Sequence, residues 1–287
     1  MNIKIENLTI ENAGNGVNIN ITKDNVMAQG VFVADFGTVC CEKELMTNLD
    51  CLSWEEINEI AKHGDAERTF ALGATKKVTL TNGEEMTFRI IGFNHDNTED
   101  CEKAAITWDS TVLMNNEHKM NDEWTNKGGW EKSKMREWLN KDIFDRLPIN
   151  LRNIIKPVIK TTSEGSRSEK LVNTVDKIFL LSERELFGRN IYSVGKEGNW
   201  YDYYRQEDVC WGKKHKNSHA NWAWLRSPSA RRDSNFCVVH SGGDSNDCGA
   251  ATGLVFPSAS VSNLLCVAKL IKNPSPIRGG KICGFAA

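Results

Sequence analysis

The sequence predicts an α+β fold with antiparallel sheets and two to three helices. Alternating polar and apolar runs are joined by glycine-containing turns, which is typical of hairpins. Apolar residues recur at helical spacing behind capping residues. Strand and helix patterns do not alternate regularly, as they would around a parallel sheet. A chain of 287 residues can bury one large core and carry a small appendage.

Residues 1–50 are predicted to form a small β-rich N-terminal segment. The runs KIENLTI and VNINI alternate in polarity and are separated by AGNG, which indicates a hairpin. No apolar stretch follows a basic start, so the pattern of a secretory signal is missing. We therefore expect synthesis in a bacterial cytoplasm without a signal peptide, with association to a virion as a further destination.

Residues 51–270 are predicted to form the main domain, which begins with a helix over SWEEINEIAKHG. Ser53 is the expected N-cap, Glu56 completes a capping box, and Gly64 ends the helix. The following segment, KKVTLTNGEEMTFRIIGFNHD, predicts two strands joined by a two-residue turn at Asn82-Gly83.

The rest of the main domain alternates helix and strand signals. GGWEKSKMREWLNKDIFDRLP predicts a second helix that buries Trp130 and Trp138 and ends at Pro148. DKIFLLSERELFG predicts a strand leading into a short helix, with Ser182 and Glu185 as its capping box. An aromatic loop, NWYDYYR, and a strand, NWAWLRS, follow. Residues 271–287 contain proline and a glycine pair and are predicted to be a loose tail.

Charge and cysteine usage exclude several classes of function. The formal net charge of −2 gives no electrostatic basis for binding nucleic acid, and no run of 18 apolar residues predicts membrane insertion. Nine cysteines without a signal peptide favour reduced thiols. Cys210, His215 and His219 have loosely zinc-like spacing but lack a CxxC pair and a fourth ligand. KKHK at 213–216 is expected to be a solvated loop, and we expect neither a metal nor a cofactor.

Three other motifs favour structural readings over catalytic ones. HSGGDS at 240–245 contains Ser, His and Asp, but neighbouring residues cannot converge as a catalytic triad does. DNTED at 96–100 lacks the spacing of a calcium loop and is expected to be an acidic turn. Gly128-Gly129 lacks the strand and lysine of a phosphate-binding loop.

One segment has an unusual composition. From Leu225 to Ala268, 44 residues contain no Lys, Glu, Gln, Met or Trp, although 23 Lys and 22 Glu in the whole chain would place about seven there. If asparagine codons AAC or AAT change only at their adenines, the third base stays a pyrimidine, and codons for those five residue types and stop codons cannot arise. The alternative is an ordinary Gly/Ser-rich loop. Tyr and Ile are reachable by such changes and are nonetheless absent.

The segment WAWLRSPSARRDSNFCVVHSGG resembles the variable region of proteins diversified by retroelements. FRIIGFNHD, GGWEKSKMREWLNKDIFDRLP, IIKPVIKTTSEGS and DKIFLLSERELFG resemble a domain family of gut bacteria and their prophages that has a C-type-lectin-like fold. The resemblance covers residues 52–257 and places the variable region at 222–257. The chain departs from the family pattern after Phe256, because it runs on where the family usually closes.

The resemblance implies a ligand-binding face at 229–252 on a rigid scaffold. The scaffold positions that match are Trp222, Trp224, Leu225, Arg226, Phe236 and Val239. The positions that match variable ones are Ser229, Arg231, Arg232, Asp233, Asn235, Val238, His240, Ser241, Asp244, Ser245, Asn246, Asp247 and Cys248. Because Val238 and His240 share strand parity with Phe236, a bulge or turn is needed if both are to be exposed while Phe236 is buried.

The expected function is therefore that of a non-enzymatic, diversified ligand-binding protein, of the kind that phages use to recognise a receptor or host surface. The expected ligand is a protein or glycan on a cell or virion surface. One alternative is an undiversified structural or surface lectin-like module. Another is an enzyme of the formylglycine-generating type, which would need Cys237 and Cys248 as a cysteine pair, although both lie among or beside the variable positions.

Overall fold

The computed structural model describes residues 7–13, 16–23, 26–28, 45–206, 222–255, 257–258 and 260–265. It has the α+β architecture that the sequence predicts, with mostly antiparallel sheets and short helices. The chain divides into two compact units, Met1–Lys43 and Glu44–Ala287. In the part of the chain that is described, no helix is long and apolar enough to cross a membrane.

The elements are numbered in chain order. The strands are β1 (Asn7–Ala13), β2 (Gly16–Lys23), β3 (Val26–Ala28), β4 (Met46–Asn48), β5 (Phe70–Thr79), β6 (Glu85–Phe93), β7 (Ala104–Ser110), β8 (Val158–Ser163), β9 (Leu171–Asp176), β10 (Ile178–Phe179), β11 (Ala223–Pro228), β12 (Asn235–Val239), β13 (Ser245–Ala250) and β14 (Ser260–Leu265). The helices are α1 (Trp54–Lys62), α2 (Ala66–Thr69), α3 (Lys134–Trp138), a π-helical turn (Leu139–Ile143), α4 (Phe144–Arg146), α5 (Ile149–Arg152), α6 (Glu183–Phe187) and a 3-10 turn (Asp202–Arg205).

The N-terminal unit contains the predicted hairpin. Strands β1 and β2 pair antiparallel, with Ala13 opposite Gly16, and β3 extends the sheet on the other side of β2. The part of these alternating runs that is described, residues 7–10 and 17–21, is thus confirmed as paired strands.

The second unit is built on a six-stranded sheet in the order β10-β14-β7-β6-β5-β4, antiparallel except between β4 and β5. Helix α1 covers this sheet with Trp54, whose ring meets that of Trp108 on β7 edge to face at 5.4 Å. The predicted capping box is confirmed, because Ser53 and Glu56 exchange side-chain and backbone hydrogen bonds. Gly64 follows the helix with φ of 75°, which suits its role as the stop.

The β5–β6 hairpin is confirmed, but its loop has three residues where the sequence predicts two. The Leu80 amide donates to the Glu84 carbonyl (2.8 Å), which leaves Thr81, Asn82 and Gly83 as the loop. Gly83 has φ of 84°, the left-handed position that closes a three-residue hairpin loop.

The second predicted helix begins six residues later than expected. It starts at Lys134 behind the N-cap Ser133, because Gly128 and Gly129 before it both have positive φ. A β-carbon at position 129 would lie 2.0 Å from the carbonyl oxygen of Ser163, so the chain passes too close to β8 for a helical turn there.

Both tryptophans of the second helical segment were expected in the core, but only Trp130 is fully buried. Trp130 is buried and its indole donates to Asp176 (2.9 Å). Trp138 is half-buried and stacks on His118 with ring centroids 4.1 Å apart.

The acidic turn predicted at 96–100 is wrong for its first residue. Asp96 is buried and forms an ion pair with Lys160 (Nζ to Oδ1, 2.6 Å). Glu99 and Asp100 are exposed, as a turn requires. Within the described residues, no group of three or more His, Cys, Asp or Glu side chains is arranged to hold a metal ion. KKHK, Cys210, His215, His219 and the tail at 271–287 lie outside the described residues.

Glu197 is expected to make the stability of the second unit depend on pH. Its carboxyl group is fully buried, and burial raises its pKa to about 7, although hydrogen bonds from Ser227 and Ser163 offset part of the shift. Between its ordinary pKa of 4.5 and about 7, the folded chain holds a proton that the unfolded chain releases, so stability falls as pH rises through this window.

We expect the free energy of unfolding to drop by roughly 2 to 3 kcal/mol between pH 5 and pH 8 on account of Glu197. Urea unfolding across this range measures it, with Glu197→Gln as the comparison because the amide keeps the shape and cannot ionise. A Gln variant whose stability follows the same pH profile as the parent would contradict the assignment.

Candidate functional site

The predicted variable region forms a three-stranded antiparallel sheet in the order β11-β12-β13. The β11–β12 and β12–β13 pairings each contain a register shift, and the second lies between Phe236 and Val238. The irregularity that the alternation of NFCVVHS requires is therefore present. It does not expose Val238, which is fully buried, as are the other four residues of β12.

Most of the scaffold positions lie in the core. Trp224 is 1% exposed, its indole donates to the His118 carbonyl (2.7 Å), and a β-carbon at Gly249 would lie 2.5 Å from its ring. Trp222 differs, because it is half-buried and its ring lies 5.0 Å from that of His240. The remaining four scaffold residues, all buried, are Leu225, Arg226, Phe236 and Val239.

Five of the thirteen positions expected on the face are buried, namely Ser229, Asn235, Val238, Ser245 and Asp247. The polar ones are buried because they hold the loops together. The Ser229 hydroxyl donates to Asp247 (3.0 Å) and accepts from the amides of residues 231 and 232. The Asn235 amide donates to the Asp247 carbonyl (2.8 Å). We therefore assign the four polar residues to support of the loops and Val238 to the hydrophobic core.

The other eight positions reach the surface in three groups. Arg231, Arg232 and Asp233 are exposed at the tip of the β11–β12 loop. Strand β13 alternates between buried and half-buried residues, so that Asn246 and Cys248 point to its outer side. The β12–β13 turn carries the remaining three, His240, Ser241 and Asp244.

The motif HSGGDS is a hairpin turn. The His240 amide donates to the Asp244 carbonyl (2.8 Å), and Gly243 has φ of 94° and donates back to the His240 carbonyl (2.8 Å). This is the same three-residue loop geometry that joins β5 to β6. The Ser241 hydroxyl lies a long 3.4 Å from the His240 ring nitrogen Nδ1.

The β11–β12 loop is fixed by Asn126, a residue that the sequence analysis did not single out. Asn126 is fully buried, its amide nitrogen Nδ2 donates to the carbonyls of Arg232 (2.8 Å) and Asn235 (2.7 Å), and its backbone N–H donates to that of Asp233 (2.8 Å). Its Oδ1 accepts from the Ser166 amide (2.8 Å). One side chain thus joins the candidate loop to the loop after β8.

The close approach of backbones around Asn126 requires glycines that can be recognised in the sequence. Gly129 and Gly165 both have positive φ, and a β-carbon at Gly165 would lie 1.8 Å from the Asn126 carbonyl oxygen. The glycines of NKGG and SEGS therefore mark positions where two backbones meet, although spacing alone does not show which residue they surround.

A second support comes from Glu183 at the start of α6. Its buried carboxylate accepts hydrogen bonds from the amides of Ile191, Tyr192 and Ser193 and from the hydroxyl of Ser245 on β13. The segment that it holds then supports the candidate loop, because the Tyr192 carbonyl accepts from the amide of residue 230 (2.8 Å). The Tyr192 ring lies 4.6 Å from the guanidinium carbon of Arg231.

The charges at the loop tip are solvated and partly paired. Arg167 and Asp233 form an exposed ion pair (2.9 Å), and this hydrogen bond lowers the pKa of Asp233. Arg232 is exposed beside it. Such an arrangement offers guanidinium donors and carboxylate acceptors to a ligand at a low cost of desolvation.

The two cysteines of the region are unsuited to act as thiolates. Cys237 is fully buried, and burial raises its pKa well above the ordinary value. Partial burial also raises the pKa of Cys248. Both are free thiols in this structure. Reactive cysteines have lowered pKa values, whereas the pKa values of both of these thiols are raised.

Comparison with known proteins places this region inside a recognised domain. The family model described as a domain of unknown function, DUF6273, matches residues 101–262, which span β11, β12, β13 and the Asn126 loop. No curated protein and no solved structure matches the chain.

Proposed function

This chain belongs to the DUF6273 family, and we propose that it is a non-enzymatic ligand-binding protein with a C-type-lectin-like fold whose binding face is diversified by adenine-specific mutagenesis from a retroelement. The observation that carries the proposal is the division of the region at 229–248. Eight side chains reach solvent, while the buried ones between them form a hydrogen-bonded frame.

The frame supports this proposal because it fixes the loop without using the exposed side chains. Asn126 binds backbone carbonyls of the loop, and these are present whatever residue stands at 232, 233 or 235. Ser229 likewise accepts from backbone amides. Side chains at the loop tip can therefore change while the backbone keeps one conformation, as in antibody loops on a fixed scaffold.

The composition of the segment supports diversification by the codon argument. Its depletion in Lys, Glu, Gln, Met and Trp begins at Leu225, within β11, and includes all eight surface positions. The raised thiol pKa values of Cys237 and Cys248 favour a binding protein over the enzyme alternative.

The experiment that tests the proposal is deep sequencing of sibling copies of the gene from a mixed population. We expect substitutions to concentrate at the eight surface positions, while Trp224, Arg226, Phe236 and Gly249 stay constant. The five buried positions should vary less, because side chains such as Ser229 and Asp247 bind each other. A near-copy of the region carrying asparagine codons, beside a reverse transcriptase gene, is the expected source.

Two outcomes would overturn diversification. Substitutions spread evenly over positions 1–220 would remove the special status of the region. Lys or Glu codons appearing within 225–268 would show that change is not restricted to adenines. Either result would leave an undiversified lectin-like module as the better account.

A further inference from the structure

A cavity lies outside the face at 229–248, beside a cluster of buried charges. It has a volume of about 350 Å³, within the range of small-ligand sites, and His95, Asp96, Asn97, Arg184, Glu185 and Lys196 contribute to its lining. Several of its groups have shifted pKa values, which is a physical mark of functional sites.

The two carboxylates of the lining, Asp96 and Glu185, are already neutralised by buried cations. Asp96 binds the Lys160 ammonium (2.6 Å) and the Tyr201 hydroxyl. Glu185 receives a forked pair of hydrogen bonds from the buried Arg226 guanidinium and lies 3.3 Å from Lys160. Two anions are thus balanced by two buried cations, so the acidic groups of the cavity have little capacity left for a cationic ligand.

The basic groups at the cavity are not balanced in this way. Within the described residues, no ion pair joins Arg184 or Lys196 to a carboxylate, and the hydrogen bond from Arg184 to Asn190 is a long 3.4 Å. The nearby Asp202 is paired with Arg205 (3.0 Å). Arg184 and Lys196 are therefore the cations of the lining that remain available to an anionic ligand.

His95 is a third group of the lining that can carry a positive charge. Its ring stacks on Tyr201 with centroids 4.0 Å apart, which fixes its orientation at the cavity. Burial lowers the pKa of His95, while Asp96, Glu185 and Asp202 favour its protonation and Lys160 opposes it. An anion in the cavity would favour the imidazolium, so binding and protonation of His95 should strengthen each other.

We propose that this cavity binds a small molecule through a carboxylate or phosphate group held by Arg184, Lys196 and His95. The site shares none of the eight surface positions of the face at 229–248, so the inference does not depend on the proposed function. Guanidinium and ammonium donors recognise both oxyanions, and the choice between them is left to the probes used in the test.

The test is calorimetric titration of the full chain at low ionic strength with inorganic phosphate and, separately, with malonate, while NMR follows the His95 ring. We expect saturable binding of at least one probe, a chemical-shift change at His95, and tighter binding as pH falls. Arg184→Gln and Lys196→Gln should each weaken binding by about tenfold. Arg189→Gln, an exposed neighbour that does not line the cavity, is the matched control and should bind as the parent does.

The comparison of phosphate with malonate tells a phosphate-bearing ligand from a carboxylate-bearing one. Absence of saturation with both probes, or saturation without change at His95, would overturn the proposal. Equal weakening in Arg189→Gln and Arg184→Gln would also overturn it, because the attraction would then be general surface charge. None of these results bears on the sequencing test of the binding face.

Discussion

Replacing Arg226 by Met is expected to lower the free energy of unfolding by about 3 to 5 kcal/mol. The guanidinium is fully buried and donates to both carboxylate oxygens of Glu185, to Thr162 (Nε to Oγ1, 3.0 Å) and to the Leu180 carbonyl (3.0 Å). Met fills much of the volume but provides no donors. The Glu185 carboxylate would then remain buried, with Lys160 (3.3 Å) as its one ion-pair partner among the described residues.

A double variant tests whether the loss of stability comes from leaving the Glu185 carboxylate buried without its cation. Glu185→Met combined with Arg226→Met removes both charges, and replacing a buried pair by apolar groups is often neutral or stabilising. We expect the double variant to be more stable than Arg226→Met alone in urea unfolding. A single variant within about 1 kcal/mol of the parent would contradict the assignment of Arg226 as the organiser of this core.

The parts of the fold that were predicted correctly depend on neighbours in sequence. The capping boxes at Ser53 and Ser182 were recognisable because their partners, Glu56 and Glu185, stand three residues away. Hairpin turns were recognisable for the same reason, and the β5–β6 loop was mispredicted by only one residue at Gly83. Local patterns determine local structure when no distant contact competes.

The parts that were missed depend on partners far apart in the chain. Asn126 holds carbonyls more than one hundred positions away, and Arg226 meets Glu185 across 41 positions. Nothing in the spacing of these residues indicates such pairing. Val238 was misplaced for a related reason: alternation shows which residues share a side of a strand, but not that β12 is covered on both sides.

The division between frame and face can be tested by comparing two variants. Trp224→Ala removes a fully buried indole that packs on Gly249 and donates to the His118 carbonyl. We expect a loss of about 3 to 5 kcal/mol, because the surrounding core can only partly fill the cavity. For a domain of this size the loss corresponds to a drop in Tm of about 6 to 20 °C.

The matched variant replaces Arg231, Arg232, Asp233 and His240 together by Ala. Three of these side chains are exposed and His240 is half-buried, and the loop backbone is held by Asn126 and Ser229, so we expect Tm to stay within about 4 °C of the parent.

Asp247 is kept unchanged in this variant, because its buried carboxylate accepts from Ser229 and its loss would loosen the loop. Calorimetric unfolding of both variants decides the matter. Equal drops in Tm would mean that the exposed side chains stabilise the fold as much as Trp224 does, and a surface with that role could not vary freely between copies of the protein.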